Sequence, residues 1–218
     1  MKHKLEADSI HFEVGLTTIL SDIYIENSTG EITCLLGRNG AGKTCLLNIV
    51  YGQLKAVNSS IRFDGAPISK AYKNPLLIRY LPQFYFLPKS LSLKKIFADF
   101  DLSLMEFELD FPEFKLFPQT KIGSLSGGQR RLVEVYTIIK SVSRFAMLDE
   151  PFSQLMPLHV EKIKQILMVE KEKKGFIITD HLFKDCIDIS DRFYVLKNGA
   201  LFRAPSIADI EDLGYING

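Results

Sequence analysis

"GRNGAGKT", residues 37–44, decides how this chain folds. It fits the pattern G-x-x-x-x-G-K-[ST] at every position, follows the apolar run "TCLL" (33–36) and opens the apolar-periodic stretch "GAGKTCLLNIVYG" (40–52). Strand, glycine loop and helix in that order form a phosphate cradle. The glycines let the backbone curl, successive N–H groups face one point, and the helix N-terminus adds its positive end. Gly37, Arg38, Asn39, Gly40, Ala41, Gly42, Lys43, Thr44 and Cys45 are therefore the candidate nucleotide-binding loop. Lys43 is placed to reach the β- and γ-phosphates, and Thr44 to ligate Mg2+.

Working outward, "SIHFEV" (9–14) and "ILSDIYIEN" (19–27) alternate apolar and polar residues as half-buried strands do, and "NSTG" (27–30) reads as a turn. "SIRFDG" (60–65) and "LLIRYLPQ" (76–83) predict two more strands. From about 86 to 122 the texture changes, with Pro88, Pro112 and Pro118 among short apolar-periodic pieces, and a small helical insertion is expected there. The second half then alternates: helix 127–142, strand 144–149, helix 157–174, strand 175–179, helix 181–190, and a hairpin over 192–204 that turns at Asn198-Gly199. Such alternation predicts an α/β fold with a mostly parallel sheet, preceded by an antiparallel β part. The expected organisation is one domain over 1–218, with a helical subdomain of about 86–143 inserted in it.

The 27 basic and 26 acidic residues leave a net charge of +1, so no global field favours nucleic acid. Cys34, Cys45 and Cys186 make no CxxC pair, and the odd count predicts no disulfide scaffold. No signal peptide is visible in "MKHKLEADSIHF", and no apolar stretch approaches the ~20 residues that span a bilayer. A cytoplasmic protein is expected, held at a membrane only through another chain.

Further motifs fall at predicted strand ends, where ligands bind in doubly wound sheets. "RFAMLDEP" (144–151) puts Asp149 beside the phosphate loop as a magnesium ligand and Glu150 where it can polarise an attacking water. His181 closes "GFIITDH", and Gln83 closes "YLPQ" as a further magnesium contact. His3, His11 and His159 lack such positions and read as structural.

One stretch is left over. "SLSGGQRR" (124–131) is a serine-capped, glycine-opened helix start, which is a second anion-binding sequence in the same chain. Taken together, the motifs resemble the nucleotide-binding domain of ABC ATPases over nearly the whole length. The loop 37–44 looks like Walker A, "FAMLDE" like Walker B with its catalytic glutamate, Gln83 like the Q-loop glutamine, His181 like the switch histidine, and "LSGGQ" (125–129) like the family signature. That resemblance implies catalytic roles for Glu150, His181 and Lys43. It also implies a head-to-tail homodimer in which Ser126, Gly127, Gly128 and Gln129 of one copy cap the ATP held by the loop of the other.

The resemblance further implies the energising subunit of a membrane transporter, which takes ATP and Mg2+ and docks on an integral membrane subunit through the helical insertion and "FYFLP" (84–88). "LDEPF" with "ITDH" looks most like the ATPases of lipopolysaccharide export and branched-chain amino-acid uptake. The alternative is a soluble ABC ATPase of translation or repair, but such chains carry paired domains or a long coiled coil. Two positions depart from the family pattern. Where an aromatic residue usually stacks on adenine, the register falls on Val14, and Phe12, on the same strand face, is expected to substitute. Met156 stands where an interface aspartate is usual, and Ser153 or Gln154 is available to replace that contact.

Overall fold

The computed structural model describes residues 2–115, 119–180 and 183–214, and these form two sheets. In the first, β1 (Lys4–Val14) pairs antiparallel with β2 (Thr17–Ser28) and with β4 (Asn58–Phe63), and the short β5 (Ala66–Pro67) completes the order β2-β1-β4-β5. The second contains β3 (Ile32–Gly37), β6 (Ile78–Leu81), β7 (Phe145–Asp149), β8 (Gly175–Thr179), β9 (Arg192–Lys197) and β10 (Ala200–Ala204), in the order β10-β9-β3-β8-β7-β6. All its pairings are parallel except the β9–β10 hairpin. Asn198 and Gly199 turn that hairpin with positive φ of 51° and 77°, as a two-residue loop requires. The expected mostly parallel α/β core with an antiparallel N-terminal sheet is what forms.

Strands β3, β7 and β8 are buried at every position because both faces are covered. One face carries α1 (Lys43–Tyr51) and the antiparallel sheet, so that Leu35 packs with Leu46, Leu47 and Val50 and with Leu5, Ile10 and Leu20. The other face takes Ile32, Cys34 and Leu36 against the helices α2 (Leu93–Asp99), α3 (Leu104–Asp110), α4 (Gly127–Lys140) and α5 (Pro157–Glu170). The segment between β6 and α4 is tied down by an aromatic cluster. Phe97, Phe107 and Phe111 surround the Tyr136 ring at centroid distances of 5.9, 4.9 and 6.1 Å.

Helix α6 (Phe183–Ile187) ends short of the expected 190, and two further helices differ from expectation. Helix α5 stops at Glu170, short of 174, and Lys174 instead turns inward, where its Nζ donates to Ile139 O and Ser141 O at 2.5 and 2.7 Å and closes the C-terminus of α4. After α6 (Phe183–Ile187), α7 (Ile207–Asp212) forms on a Ser206 capping box that the sequence reading passed over. No helix among the described residues is long and apolar enough to cross a membrane.

Candidate functional site

The carboxyl ends of β3, β6, β7 and β8 open on one edge, and the expected site residues there converge. The phosphate loop turns from β3 into α1 through Gly42, whose φ is 104°. A Cβ on Gly42 would lie 2.9 Å from Ile19 Cγ2, so β2 braces the loop from behind and only glycine fits. Lys43, 6% exposed, donates from Nζ to Gly37 O at 2.6 Å and to Arg38 O at 3.3 Å. Burial pushes its pKa down, and the carboxylates of Glu150, Asp149 and Asp180 oppose that shift.

Asp149 is 1% exposed and held by hydroxyl groups. Thr44 Oγ1 and Tyr80 OH donate to its Oδ2 at 2.7 and 3.2 Å, while Thr179 Oγ1 donates to its Oδ1 at 2.6 Å. The Thr44 hydroxyl and the Asp149 carboxylate thus offer adjacent oxygen donors, a set that suits a hard divalent cation completed by phosphate oxygens. Glu150 sits at φ 50°, its N–H bonded to Thr179 O at 2.8 Å. Its Oε2 accepts from Gln83 Nε2 at 3.0 Å and from Ser153 Oγ at 3.2 Å. A cleft of about 580 Å3 runs from loop residues 39–45, Gln83 and Glu150 to Val14 and Ile19.

Phe12 is not at this cleft. It is 8% exposed, pairs with Leu20 and belongs to the core beneath the antiparallel sheet. The register shift between Phe12 and Glu13 breaks the simple alternation that put Phe12 and Val14 on one face, and Val14, 59% exposed, is the residue at the rim. His181 lies outside the described residues. The preceding Asp180 is buried and accepts from Phe152 N at 3.2 Å.

The signature residues do not line the cleft. Ser126 caps α4: its side chain accepts from Gln129 N, and Gln129 Oε1 accepts from Ser126 N at 3.0 Å. Gly128 lies so close to the loop after Glu150 that a Cβ would meet Gln154 O at 2.6 Å. Tyr85 joins the same contact, its hydroxyl bonded to Gln154 Oε1 and its ring under the Arg130 guanidinium at 4.4 Å. Arg131 then links this helix to the carboxylate strand, donating to Pro82 O, Asp149 O and Glu150 O at 2.8, 2.7 and 3.0 Å. Ser153 and Gln154 are thus both engaged within their own chain. Met156 is exposed at the N-cap of α5 and caps nothing with its side chain. In "FYFLP", Phe84 faces outward and Leu87 is core.

Sequence reasoning missed Tyr80, Thr179, Tyr85 and Arg131. Thr179 stands at a strand end and was findable by that place alone. The other three are recognisable only once distant segments meet.

A phosphate loop at the carboxyl edge of a parallel sheet, with carboxylates at the end of β7, one strand beyond the adjacent β8, defines a P-loop nucleotide-binding ATPase. The sequence profile of the ABC transporter family matches residues 20–153, and the chain belongs to that family. It is 28% identical to the lipopolysaccharide export system ATP-binding protein LptB of Acidithiobacillus ferridurans, over 97% of this chain and 94% of that one. It is 27% identical to the high-affinity branched-chain amino acid transport ATP-binding protein BraG of Pseudomonas aeruginosa, over 90% of each. Among solved structures, the ATP binding subunit of an ABC transporter superposes with a TM-score of 0.81 at 21% identity, covering 97% of this chain and 93% of that one. A bacterial Atm1-family ABC exporter with ATP bound gives 0.85 at 19% identity, over 97% of this chain and 40% of that one. These two establish the fold.

Proposed function

We propose that this chain is the ATP-hydrolysing subunit of a membrane transporter, one domain with an inserted helical part, working as a head-to-tail homodimer around two ATP. It acts from the cytoplasmic face on a separate membrane subunit. The observation that carries the reading is a separation: Ser126, Gly127, Gly128 and Gln129 open a helix outside the cleft that Lys43, Gln83 and Glu150 share. Two anion-binding elements that do not meet within one copy are accounted for if each serves a different nucleotide. The transport roles in the names of LptB and BraG support the same reading.

In this mechanism Lys43 and the N–H groups of the loop hold the terminal phosphates, the ammonium leaving the loop carbonyls for a stronger acceptor. Thr44 and Asp149, with Gln83 as a further contact, would hold magnesium, which when bound neutralises phosphate charge and orients the terminal group. Glu150 takes the proton side of the attacking water, and Gln83 and Ser153 fix the oxygen it uses. His181, outside the described residues, keeps the catalytic role that the family resemblance implies. The helix start at Ser126 closes over the partner copy's nucleotide.

Glu150→Gln tests the core of this. It keeps the contacts and removes the base, so the variant should run as an ATP-bound dimer on size exclusion with saturating ATP and Mg2+. Monomer alone under those conditions would contradict the dimer. A tagged native chain should bring down an integral membrane protein, and recovery of only ribosomal or repair proteins would overturn the transporter reading.

A further inference from the structure

We infer that Arg131 is a positioning residue for ATP hydrolysis: its guanidinium holds the left-handed main chain of Glu150, and with it the carboxylate, in place. The role rests on Glu150 activating water as proposed above. Along an extended strand successive residues face opposite ways. At Glu150 the φ of 50° ends that alternation, and the carbonyls of Asp149 and Glu150 both accept from Arg131 Nη2, at 2.7 and 3.0 Å. A glutamate keeps such a backbone only where its surroundings hold it. Thr179 O holds the N–H side at 2.8 Å, and Arg131 holds the carbonyl side.

The other nitrogen of the fork reaches a second segment. Arg131 Nη1 donates to Pro82 O at 2.8 Å, next to Gln83, whose Nε2 donates to Glu150 Oε2 at 3.0 Å. One planar group thus fixes the main chain of the base and the root of the side chain that orients its carboxylate.

The sequence brings Arg131 here through α4. The helix starts on the Ser126 capping box, and Gly128, where a Cβ would meet Gln154 O at 2.6 Å, lets it lie against the loop after Glu150. Arg131 follows three residues later, on the same helix face. It is 2% exposed, and among the described residues its hydrogen bonds go to main-chain oxygens. Burying a guanidinium is costly unless those bonds are made, and an apolar side chain would fill the space without that cost. What an apolar side chain could not do is fix three carbonyls from two segments. Arg131 is not among the residues lining the cleft, so its loss should act on turnover and spare nucleotide affinity.

The test measures turnover in Mg2+, and ATP affinity by equilibrium dialysis in EDTA, on the purified full chain. Arg131→Met should lower kcat about 10–100-fold, as a displacement of ~1 Å at a reacting group does, and leave the dissociation constant for ATP within about threefold. In a Glu150→Gln background the same substitution should change the residual single-turnover rate by less than about threefold, because the group it acts through is already gone. Arg131→Lys keeps the charge and loses the fork, so it should show the same split even if Arg131→Met fails to fold. ATP affinity that falls as far as kcat, parental turnover in either variant, or an equal further loss in the Glu150→Gln background overturns the inference and leaves Glu150 as the base. Parental turnover in Glu150→Gln alone rejects the proposed base, and the inference with it.

Discussion

Tyr80 gives its hydroxyl to Asp149 Oδ2 at 3.2 Å, the same oxygen that receives Thr44 Oγ1. It also accepts from Asn48 Nδ2 at 3.3 Å, so β6 and α1 both determine where that carboxylate points. Tyr80→Phe keeps the ring against Tyr51, 5.2 Å away, and removes one donor from a buried charge. The expected cost is about 1–2 kcal/mol in urea unfolding, together with a several-fold rise in the Mg2+ concentration that half-saturates hydrolysis. Unchanged Mg2+ dependence would show that Thr44 and Thr179 suffice to orient Asp149.

Lys43→Ala should abolish hydrolysis and weaken ATP binding at least tenfold, because the loop loses its main countercharge. Circular dichroism should remain that of the parent, since the hydrogen bonds of the ammonium among the described residues go to loop carbonyls. Turnover equal to the parent would remove the phosphate-loop assignment.

The pH profile of ATP binding follows from the same lysine. Burial lowers its pKa below 10.5, so affinity should fall along an alkaline limb centred below that value as the ammonium is lost. Glu150 heads the groups that oppose burial, and Glu150→Gln should move the limb to still lower pH. A limb that moves upward in the variant would reverse the sign of that interaction.

Lys174 offers a second pH test, in stability. Burial brings its pKa down from 10.5 to about 8. Between those values the unfolded chain holds a proton that the folded chain has released, so stability rises with pH across that window and this group adds no slope below it. The contribution is at most ~1.4 kcal/mol per pH unit. Urea unfolding at pH 8 and 9.5 should show the rise in the parent and lose it in Lys174→Met.

Met156 has the extended backbone of an N-cap, φ −71° and ψ 149°, ahead of Pro157 at the first helical position. Met156→Asp should therefore stabilise the chain by about 0.5–2 kcal/mol through capping alone. If the aspartate also couples the two proposed sites, the Hill coefficient for ATP rises with it. Strong cooperativity in the parent, unchanged by the substitution, would show that the thioether there is no handicap.

Much of this was legible locally. The loop 37–44 and the strand before it needed only their own residues, and Ser126 announced the start of α4 because a cap and its helix are neighbours in sequence. Phe12 was misplaced because a register shift is set by the pairing of β1 with β2, which alternation along one strand does not contain. The end of α5 was misjudged for a similar reason: Lys174 leaves the helical run to close a different helix. Arg131 illustrates what stays hidden. Its three carbonyl partners lie 49, 18 and 19 residues away in the chain.

The left-handed backbone of Glu150 carries a last consequence. At φ 50° a glutamate is held where glycine or asparagine would rest at lower cost, and the strain coincides with the residue proposed to activate water. Natural selection for turnover and selection for abundance should pull this position in opposite directions. In a saturation library sorted by cellular protein level, glycine and asparagine at 150 should be enriched over the parent, and in the same library sorted by ATPase-dependent growth they should vanish. Under the proposed role of Glu150, foldability is traded for rate at position 150.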